Sequence, residues 1–228
     1  MYKLIAPVLL ALLLASSAQA DPVTLSLTGT GSNSYGGYAV YPYYFTVGST
    51  TGVPLLCDDF GNVINTGDSW SAAVNTFSTL SGTLFASKFS DYTTRYEEAG
   101  WLFLQLGPNP SASKAAAINW AIWGLFDTAL VCTNGNCTGD ALSYYNSGAA
   151  TWAADALAAI TATGSGALPA NYFSNLVIYT PPTGSKAQEM IGGGPVPEPA
   201  TVLLIGSGLV IVGGYMRRVR HSRSVVRQ

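Results

Sequence analysis

Two apolar segments at opposite ends of the chain confine the part that can fold as a soluble domain to the residues between them. At the N-terminus, the 12 residues 4–15 are apolar, follow Lys3 and precede an Ala-Gln-Ala motif at 18–20. A short positive region, an apolar stretch too short to span a bilayer and a small-x-small motif are typical of a secretory signal peptide. We therefore predict that residues 1–20 are a signal peptide and that the protein is exported.

The second apolar segment, residues 200–216, contains no charged residue. As a helix it would be roughly 25 Å long, close to the shorter limit for crossing a membrane. The residues that follow, 217–228, contain five arginines: Arg217, Arg218, Arg220, Arg223 and Arg227. Cationic residues stay on the cytoplasmic side of a membrane, so the chain before residue 200 faces outward. The pattern predicts a transmembrane helix with a stop-transfer tail; the alternative is a core helix with a cationic end.

The motif Pro197-Glu198-Pro199 directly precedes this helix. A Pro-Glu-Pro motif, a short apolar helix and an arginine-rich end together resemble the PEP-CTERM sorting signal, over residues 196–228. The resemblance implies processing by an exosortase, an integral-membrane cysteine protease of Gram-negative bacteria that make exopolysaccharide. It also implies that the protein is anchored transiently in the inner membrane and then reaches the cell surface or the medium.

The exported part between the two signals is acidic and contains no histidine. Residues 21–198 hold all 12 acidic residues but only four of the 10 lysines and arginines, a net charge of −8. An acidic domain does not bind nucleic acid by neutralising phosphates. Because the single histidine is His221 in the tail, the exported part has no Ser-His-Asp or Cys-His catalysis and no His-ligated zinc within one chain. We expect a non-enzymatic protein without a cofactor or a metal.

The apolar pattern changes along the exported part from a period of two to a helical period. Strands are predicted at residues 23–27, 38–47, 53–60, 69–77 and 175–180. Helices are predicted at residues 91–106, 114–126, 141–145 and 149–161. This order predicts an α+β domain over residues 21–182, with N-terminal antiparallel strands, a small helical bundle and a final strand. A Gly/Ser/Pro linker is predicted over residues 183–195.

Three cysteines lie in the exported part, where disulfides are possible. Cys132 and Cys137 flank the turn-forming sequence Thr-Asn-Gly-Asn, which can bring their Cα atoms within bridging distance. We expect them to be paired. Cys57 is then the odd cysteine, and a small buried apolar side chain is an alternative role for it.

Residues 55–60, Leu-Leu-Cys-Asp-Asp-Phe, precede Ala-Ile-Asn-Trp-Ala-Ile-Trp at 117–123 by about sixty residues. The two segments resemble the two halves of the thioester domains of bacterial surface adhesins, in which a cysteine is bonded to a glutamine in a Gln-x-Ala-Ile-Trp setting. This chain has Asn119 at the glutamine position, one methylene shorter, so the resemblance implies a thioester-like pair of Cys57 and Asn119. Gln105 is a substitute if it points at Cys57. Residues 187–190, Ala-Gln-Glu-Met, fit a recurrent group of PEP-CTERM proteins with these segments.

The leading functional hypothesis is an exported, non-enzymatic surface or matrix protein. Its predicted partners are the exosortase, the inner membrane and exopolysaccharide or other surface components. One alternative is a covalent adhesin that uses Cys57. Another is a glycan-acting enzyme that pairs Asp58 or Asp59 with Glu97 or Glu98.

Oxygen-bearing side chains are crowded in the segment after Cys57. They are Asp58, Asp59, Asn62, Asn65 and Asp68. Calcium binds such side chains, but their spacing is not that of an EF-hand loop. Ordinary turn residues between strands are the favoured interpretation.

Overall fold

The computed structural model describes residues 20–193, in which eight strands form a barrel and a small hairpin. In chain order the strands are β1 (Ala20–Thr30), β2 (Ser34–Tyr35), β3 (Tyr38–Ala39), β4 (Tyr43–Val47), β5 (Thr50–Cys57), β6 (Ser69–Thr76), β7 (Leu176–Thr180) and β8 (Met190–Gly193). Six of them close into a barrel in the order β1-β4-β5-β8-β7-β6. The pairs β1–β4, β4–β5, β5–β8, β8–β7 and β7–β6 are antiparallel. Strands β2 and β3 form the separate hairpin.

Four α-helices lie between β6 and β7. They are α1 (Tyr92–Leu106), α2 (Ala112–Phe126), α3 (Gly139–Ser147) and α4 (Ala149–Thr161). Helix α2 packs against the other three, and every residue from 115 to 126 is buried. This burial explains why its sequence is apolar on all sides. The helix begins after Ser111, whose Oγ accepts a hydrogen bond from the backbone N–H of Lys114 at 3.3 Å, as an N-cap residue does.

The β-elements follow from the local sequence. In β1, Leu25 and Leu27 are buried while Thr24 and Thr28 are exposed, the alternation expected of a strand with one buried face. The β2–β3 hairpin turns at a Gly-Gly pair at 36–37 with φ values of 62° and 88°. A two-residue hairpin turn requires such left-handed backbone, which glycine adopts at little cost.

The predicted α+β class is confirmed, and the predicted helices match the observed ones closely. The predicted strand 38–47 is divided into β3 and β4, with Pro42 between them. Proline has no backbone N–H to donate to a ladder, so a strand is interrupted there.

The predicted linker, residues 183–195, is wrong for its second half, because β8 lies within it. Strand β8 pairs with β5 on one side and β7 on the other, and Met190 and Ile191 are completely buried. Two apolar residues in a glycine-rich segment give no periodic pattern. The strand forms because two neighbours provide its hydrogen-bond partners.

Several predicted features lie outside the described residues: residues 1–19 of the signal peptide 1–20, the sorting motif Pro197, Glu198 and Pro199, the helix 200–216, and the tail with Arg217, Arg218 and Arg220. Within residues 20–193, no helix combines the length and the apolar character needed to cross a bilayer.

Candidate functional site

Asn119 joins helix α2 to the barrel through both ends of its side-chain amide. Its Nδ2 donates to the carbonyl oxygen of Cys57 at 3.2 Å, and its Oδ1 accepts a hydrogen bond from the backbone N–H of Tyr41 at 2.9 Å. Asn119 is completely buried, so these bonds satisfy polar groups that are removed from water. The structure therefore brings Cys57 and Asn119 together, but the amide contacts the cysteine backbone.

The Cys57 thiol lies at the end of β5 and is completely buried. Its Sγ donates to the carbonyl oxygen of Asp59 at 3.2 Å, and the indole of Trp123 lies beside it. Burial raises the pKa of the thiol well above its ordinary value, and the neighbouring carboxyl groups of Asp58 and Asp59 raise it further. At neutral pH Cys57 is therefore a protonated thiol in the protein interior.

Gln188 brings a side-chain amide to the same carbonyl oxygen. Its Nε2 donates to Asp59 at 3.0 Å and also to the carbonyl oxygen of Asn62, while its buried Oε1 has no hydrogen-bond partner among the described residues. Strand register explains this position. Cys57 pairs with Met190 across the antiparallel β5–β8 ladder, so the residues just before β8 lie next to those just after β5. The Cys57 thiol and the Gln188 amide thus converge on one oxygen atom, and we call them the thiol–amide pair.

A cavity of about 140 Å³ lies beside the thiol–amide pair. Gln188 and Trp123 line it together with Tyr38, Phe60 and Val63. The ring centroid of Tyr38 lies 5.0 Å from that of Phe60 and 6.1 Å from that of Trp123. Val63 is 76% exposed and Tyr38 is 37% exposed. A small solute in this cavity would therefore lie beside Gln188 and among aromatic side chains.

Two carboxyl groups lie in the interior beside the thiol–amide pair. Asp58 and Glu189 are completely buried and their side chains face each other. Glu189 accepts hydrogen bonds from the backbone N–H of Leu84 at 2.8 Å, from the hydroxyl of Thr180 at 2.5 Å and from the hydroxyl of Tyr96. Burial raises the pKa of both carboxyls. We call Asp58 and Glu189 the carboxyl pair.

The predicted disulfide is confirmed. Cys132 and Cys137 are bonded, with their Cα atoms 6.1 Å apart. Between them, the side-chain oxygen of Asn134 accepts a hydrogen bond from the backbone N–H of Asn136 at 3.1 Å, which is the turn that the Thr-Asn-Gly-Asn sequence favours. We call residues 132–137 the disulfide loop.

Two of the side chains considered as calcium ligands take part in turns. Oδ1 of Asp59 accepts a hydrogen bond from the backbone N–H of Gly61 at 3.1 Å, and Oδ2 of Asp68 accepts one from the backbone N–H of Asn65 at 2.7 Å. Such bonds are what aspartate contributes to turns.

The carboxylates considered for a glycan-acting enzyme lie in different environments. Asp58 faces Glu189 in the interior, whereas Asp59 stabilises a turn. Glu97 and Glu98 lie on α1. The pKa of Glu98 is raised to about 7. Burial is the largest cause and raises the pKa, whereas the positive charge of Arg95 lowers it.

The sequence interpretation missed Gln188 and Glu189 as site residues. The fit of residues 187–190 to a group of sorted proteins gives no role to their side chains. Gln105, the predicted substitute, donates instead to the carbonyl oxygen of Trp101 one turn earlier in α1, at 3.3 Å. The missing signal was a glutamine two residues before a strand that pairs with the cysteine strand, and that strand itself was not predicted.

Residues 195–220 match the family model of the PEP-CTERM protein-sorting motif. The predicted sorting signal is thereby confirmed. The motif implies an exported protein that an exosortase processes and that is anchored in the membrane only transiently. The match covers the C-terminal segment alone, so it defines the sorting of the protein and not the activity of its exported domain. No curated protein matches the chain.

Two solved structures are similar to this chain at low identity. One is the N-terminal thioester domain of fibronectin-binding protein SfbI from Streptococcus pyogenes, with 11% identity, 78% of this chain and 95% of that chain covered, and a TM-score of 0.47. The other is the N-terminal domain of the Streptococcus pyogenes pilus tip adhesin Cpa, with 13% identity, 80% and 97% coverage, and a TM-score of 0.42. Both similarities are weak, as the sequence resemblance predicted.

Proposed function

We propose that this protein is a non-enzymatic cell-surface or extracellular-matrix protein of a Gram-negative bacterium that makes exopolysaccharide. The observation that carries the proposal is the PEP-CTERM motif at residues 195–220. An exported part with a net charge of −8 and no histidine supports a role in binding or attachment rather than in turnover. The exosortase is the processing partner, and exopolysaccharide or other surface components are the partners outside.

Sorting is tested by two variants, Glu198→Ala and a deletion of residues 217–228. We expect both proteins to accumulate in the inner membrane, because recognition or membrane topology is lost. Lys186→Ala is the matched control, since Lys186 is an exposed charged residue outside the motif; it should be processed like the wild type. Cell fractionation with mass mapping of both termini measures the outcome. Release of both test variants at the wild-type level would contradict exosortase sorting.

A second function, covalent attachment through an internal thioester, is favoured by the thiol–amide pair. Cys57 and Gln188 donate hydrogen bonds to the same oxygen, at 3.2 Å and 3.0 Å. Holding two groups side by side replaces a bimolecular encounter with an intramolecular step. Both groups are buried, so an activated acyl group formed there is protected from water.

The chemistry of this candidate is balanced without a cofactor. The Cys57 sulfur bonds to the Gln188 side-chain carbon, the carbon–nitrogen bond breaks, and the amide nitrogen takes the thiol proton and leaves as ammonia. An amine on a surface partner then attacks the same carbon. The carbon–sulfur bond breaks, the thiol regains a proton, and an amide crosslink remains.

Gln188, and not Asn119, is the acyl donor in this proposal. The amide of Asn119 is committed at both ends to the backbone of Cys57 and Tyr41. The Oε1 of Gln188 is buried without a partner among the described residues. Converting the Gln188 amide to a thioester therefore breaks no hydrogen bond made by this oxygen. The cavity beside Gln188 also provides the approach for an amine.

Intact-mass measurement of the purified exported domain tests the covalent candidate. The wild type should be lighter than its sequence by one ammonia, and methylamine should add to it while the thiol becomes free. Gln188→Ala should carry no such loss, whereas the matched control Gln105→Ala should keep it. A wild-type domain with no mass loss and with a Cys57 thiol that is alkylated once the protein is unfolded would rule out the thioester but leave the sorting proposal intact.

A further inference from the structure

The carboxyl pair lies next in the chain to the thiol–amide pair. Asp58 follows Cys57 and Glu189 follows Gln188, and the backbone N–H of Asp58 donates to the carbonyl oxygen of Glu189 at 3.3 Å. The two pairs are therefore held by the same short stretch where β5 meets β8. Any force between the two carboxyl groups acts on the relative position of the thiol and the amide.

Among residues 20–193, no cation forms an ion pair with either carboxyl group. The single ion pair of the described residues joins Arg95 to Asp91 on the surface. The titratable groups that face the carboxyl pair are Cys57, Asp59 and Tyr96. None of these three provides a positive charge, and two buried carboxylates in contact repel strongly at low dielectric.

The hydrogen bonds show how this repulsion is avoided. Glu189 has three donors, from Leu84, Tyr96 and Thr180, and is therefore equipped to carry the negative charge. Both oxygens of Asp58 are buried, and no donor from the rest of the described residues reaches them. A carboxyl without donors is satisfied when it is protonated and donates to a neighbouring carboxylate.

We infer that Asp58 carries a proton that it shares with Glu189, and that this carboxyl–carboxylate hydrogen bond is a positioning contact that holds Cys57 against Gln188. The positioning role rests on the covalent function proposed above; the shared proton does not depend on it. Asp58 and Glu189 are positioning residues, since no hydrogen bond among the described residues joins either carboxyl group to the Cys57 sulfur or to the Gln188 side chain.

Shared protonation predicts a specific pH dependence. A carboxyl with a pKa raised by folding binds a proton more tightly in the native state, so stability is fully present below the pKa of the unfolded chain and is lost as the pH rises through the native pKa. Asp58→Asn supplies a permanent donor to Glu189 and should remove part of this loss. Asp58→Ala removes the donor and should destabilise the protein at every pH.

The first measurement is urea unfolding, followed by tryptophan fluorescence, from about pH 4 to about pH 9 in a Cys57→Ser background that cannot form a thioester. Every protein in this series also carries Glu98→Gln. The pKa of Glu98 is raised to about 7, so this residue would add its own pH dependence to the unfolding midpoint. We expect the unfolding midpoint to fall less with pH in Asp58→Asn than in its parent. Equal slopes would overturn the shared proton.

The second measurement uses proteins that retain Cys57. Intact-mass spectrometry over the same pH range gives the fraction of each protein that has lost ammonia. Asp58→Asn should keep the bonded form to higher pH than the wild type, and Asp58→Ala should lose it. The rate of thioester hydrolysis rises with pH in all three proteins, so the test is the difference between their bonded fractions at each pH. If the wild type contains the thioester and the bonded fraction has the same pH profile in the wild type and both variants, the positioning role is overturned. If no protein contains the thioester, the covalent function is refuted, and the unfolding measurement still tests the shared proton.

Discussion

The disulfide loop and the thiol–amide pair show two opposite ways of using cysteine in one exported domain. Cys132 and Cys137 are five residues apart and partly exposed. Cys57 is completely buried, and its neighbour Gln188 comes from a distant part of the chain. The disulfide loop needs only a local turn, whereas the thiol–amide pair exists only when β5, β8 and α2 have assembled. Damage to the fold should therefore affect the second site and spare the first.

The largest effect is expected from Asn119→Ala. This change leaves the Cys57 carbonyl and the Tyr41 N–H without their buried partners. We expect a loss of about 2–4 kcal/mol in the free energy of unfolding, since each unsatisfied buried group costs about 1–3 kcal/mol. Urea unfolding measures this loss. In a Gln188→Ala background, which cannot form the thioester, alkylation of Cys57 under native conditions should become faster, because the buried thiol is exposed more often.

Asn136→Ala is the control for Asn119→Ala, because Asn136 is an exposed asparagine of the disulfide loop. It should change the free energy of unfolding by no more than about 0.5 kcal/mol. If the two variants were equally stable, the amide of Asn119 would not be a principal link between α2 and the barrel.

A smaller and local effect is expected when the disulfide is removed by Cys132→Ser with Cys137→Ser. Closing so short a loop restricts the unfolded chain by about 2 kcal/mol in the chain-entropy estimate. Native-state alkylation of Cys57, measured in a Gln188→Ala background, should remain slow, because no hydrogen bond among the described residues joins the disulfide loop to the thiol–amide pair. Thermal or urea unfolding measures the first effect and mass spectrometry the second. Rapid alkylation of Cys57 under native conditions would show that the two regions are not independent.

The smallest effect is expected from Glu98→Gln. Burial raises the pKa of Glu98 to about 7, so the folded protein binds this proton more tightly than the unfolded chain. The contribution of Glu98 is fully present below the ordinary glutamate range and is lost as the pH rises through about 7. Glu98→Gln should remove this loss, on the order of 1 kcal/mol after allowance for solvent screening.

The matched comparison for Glu98→Gln is the disulfide variant. The disulfide loop contains no carboxylate, histidine, lysine or arginine, so its removal should lower stability without changing the pH dependence. Unfolding midpoints at several pH values measure both. A steeper or flatter pH dependence in the disulfide variant would contradict the separation of the two regions.

The features that can be predicted from the sequence are those determined by residues close to one another in the chain. Helix α4 was predicted at its observed bounds, 149–161, and the Cys132–Cys137 bond followed from the turn-forming residues between the two cysteines. Strand β8 was missed because Met190 and Ile191 are too few to show a period, and their strand is stabilised by β5 and β7. Without β8, neither Gln188 nor Glu189 can be placed beside Cys57. Asn119 was placed correctly near Cys57, but its hydrogen bonds to the backbone are a property of the assembled fold.

The most direct test of the central claim, that Cys57 and Gln188 form the reactive pair of this domain, is to locate methylamine after reaction with the folded protein. Peptide mapping by tandem mass spectrometry distinguishes a methylamide at Gln188 from one at Asn119 or Gln105. The account predicts modification at Gln188 alone, together with release of the Cys57 thiol and with no reaction in Cys57→Ser. Modification at Asn119 or Gln105, or no incorporation into the wild type, would contradict it.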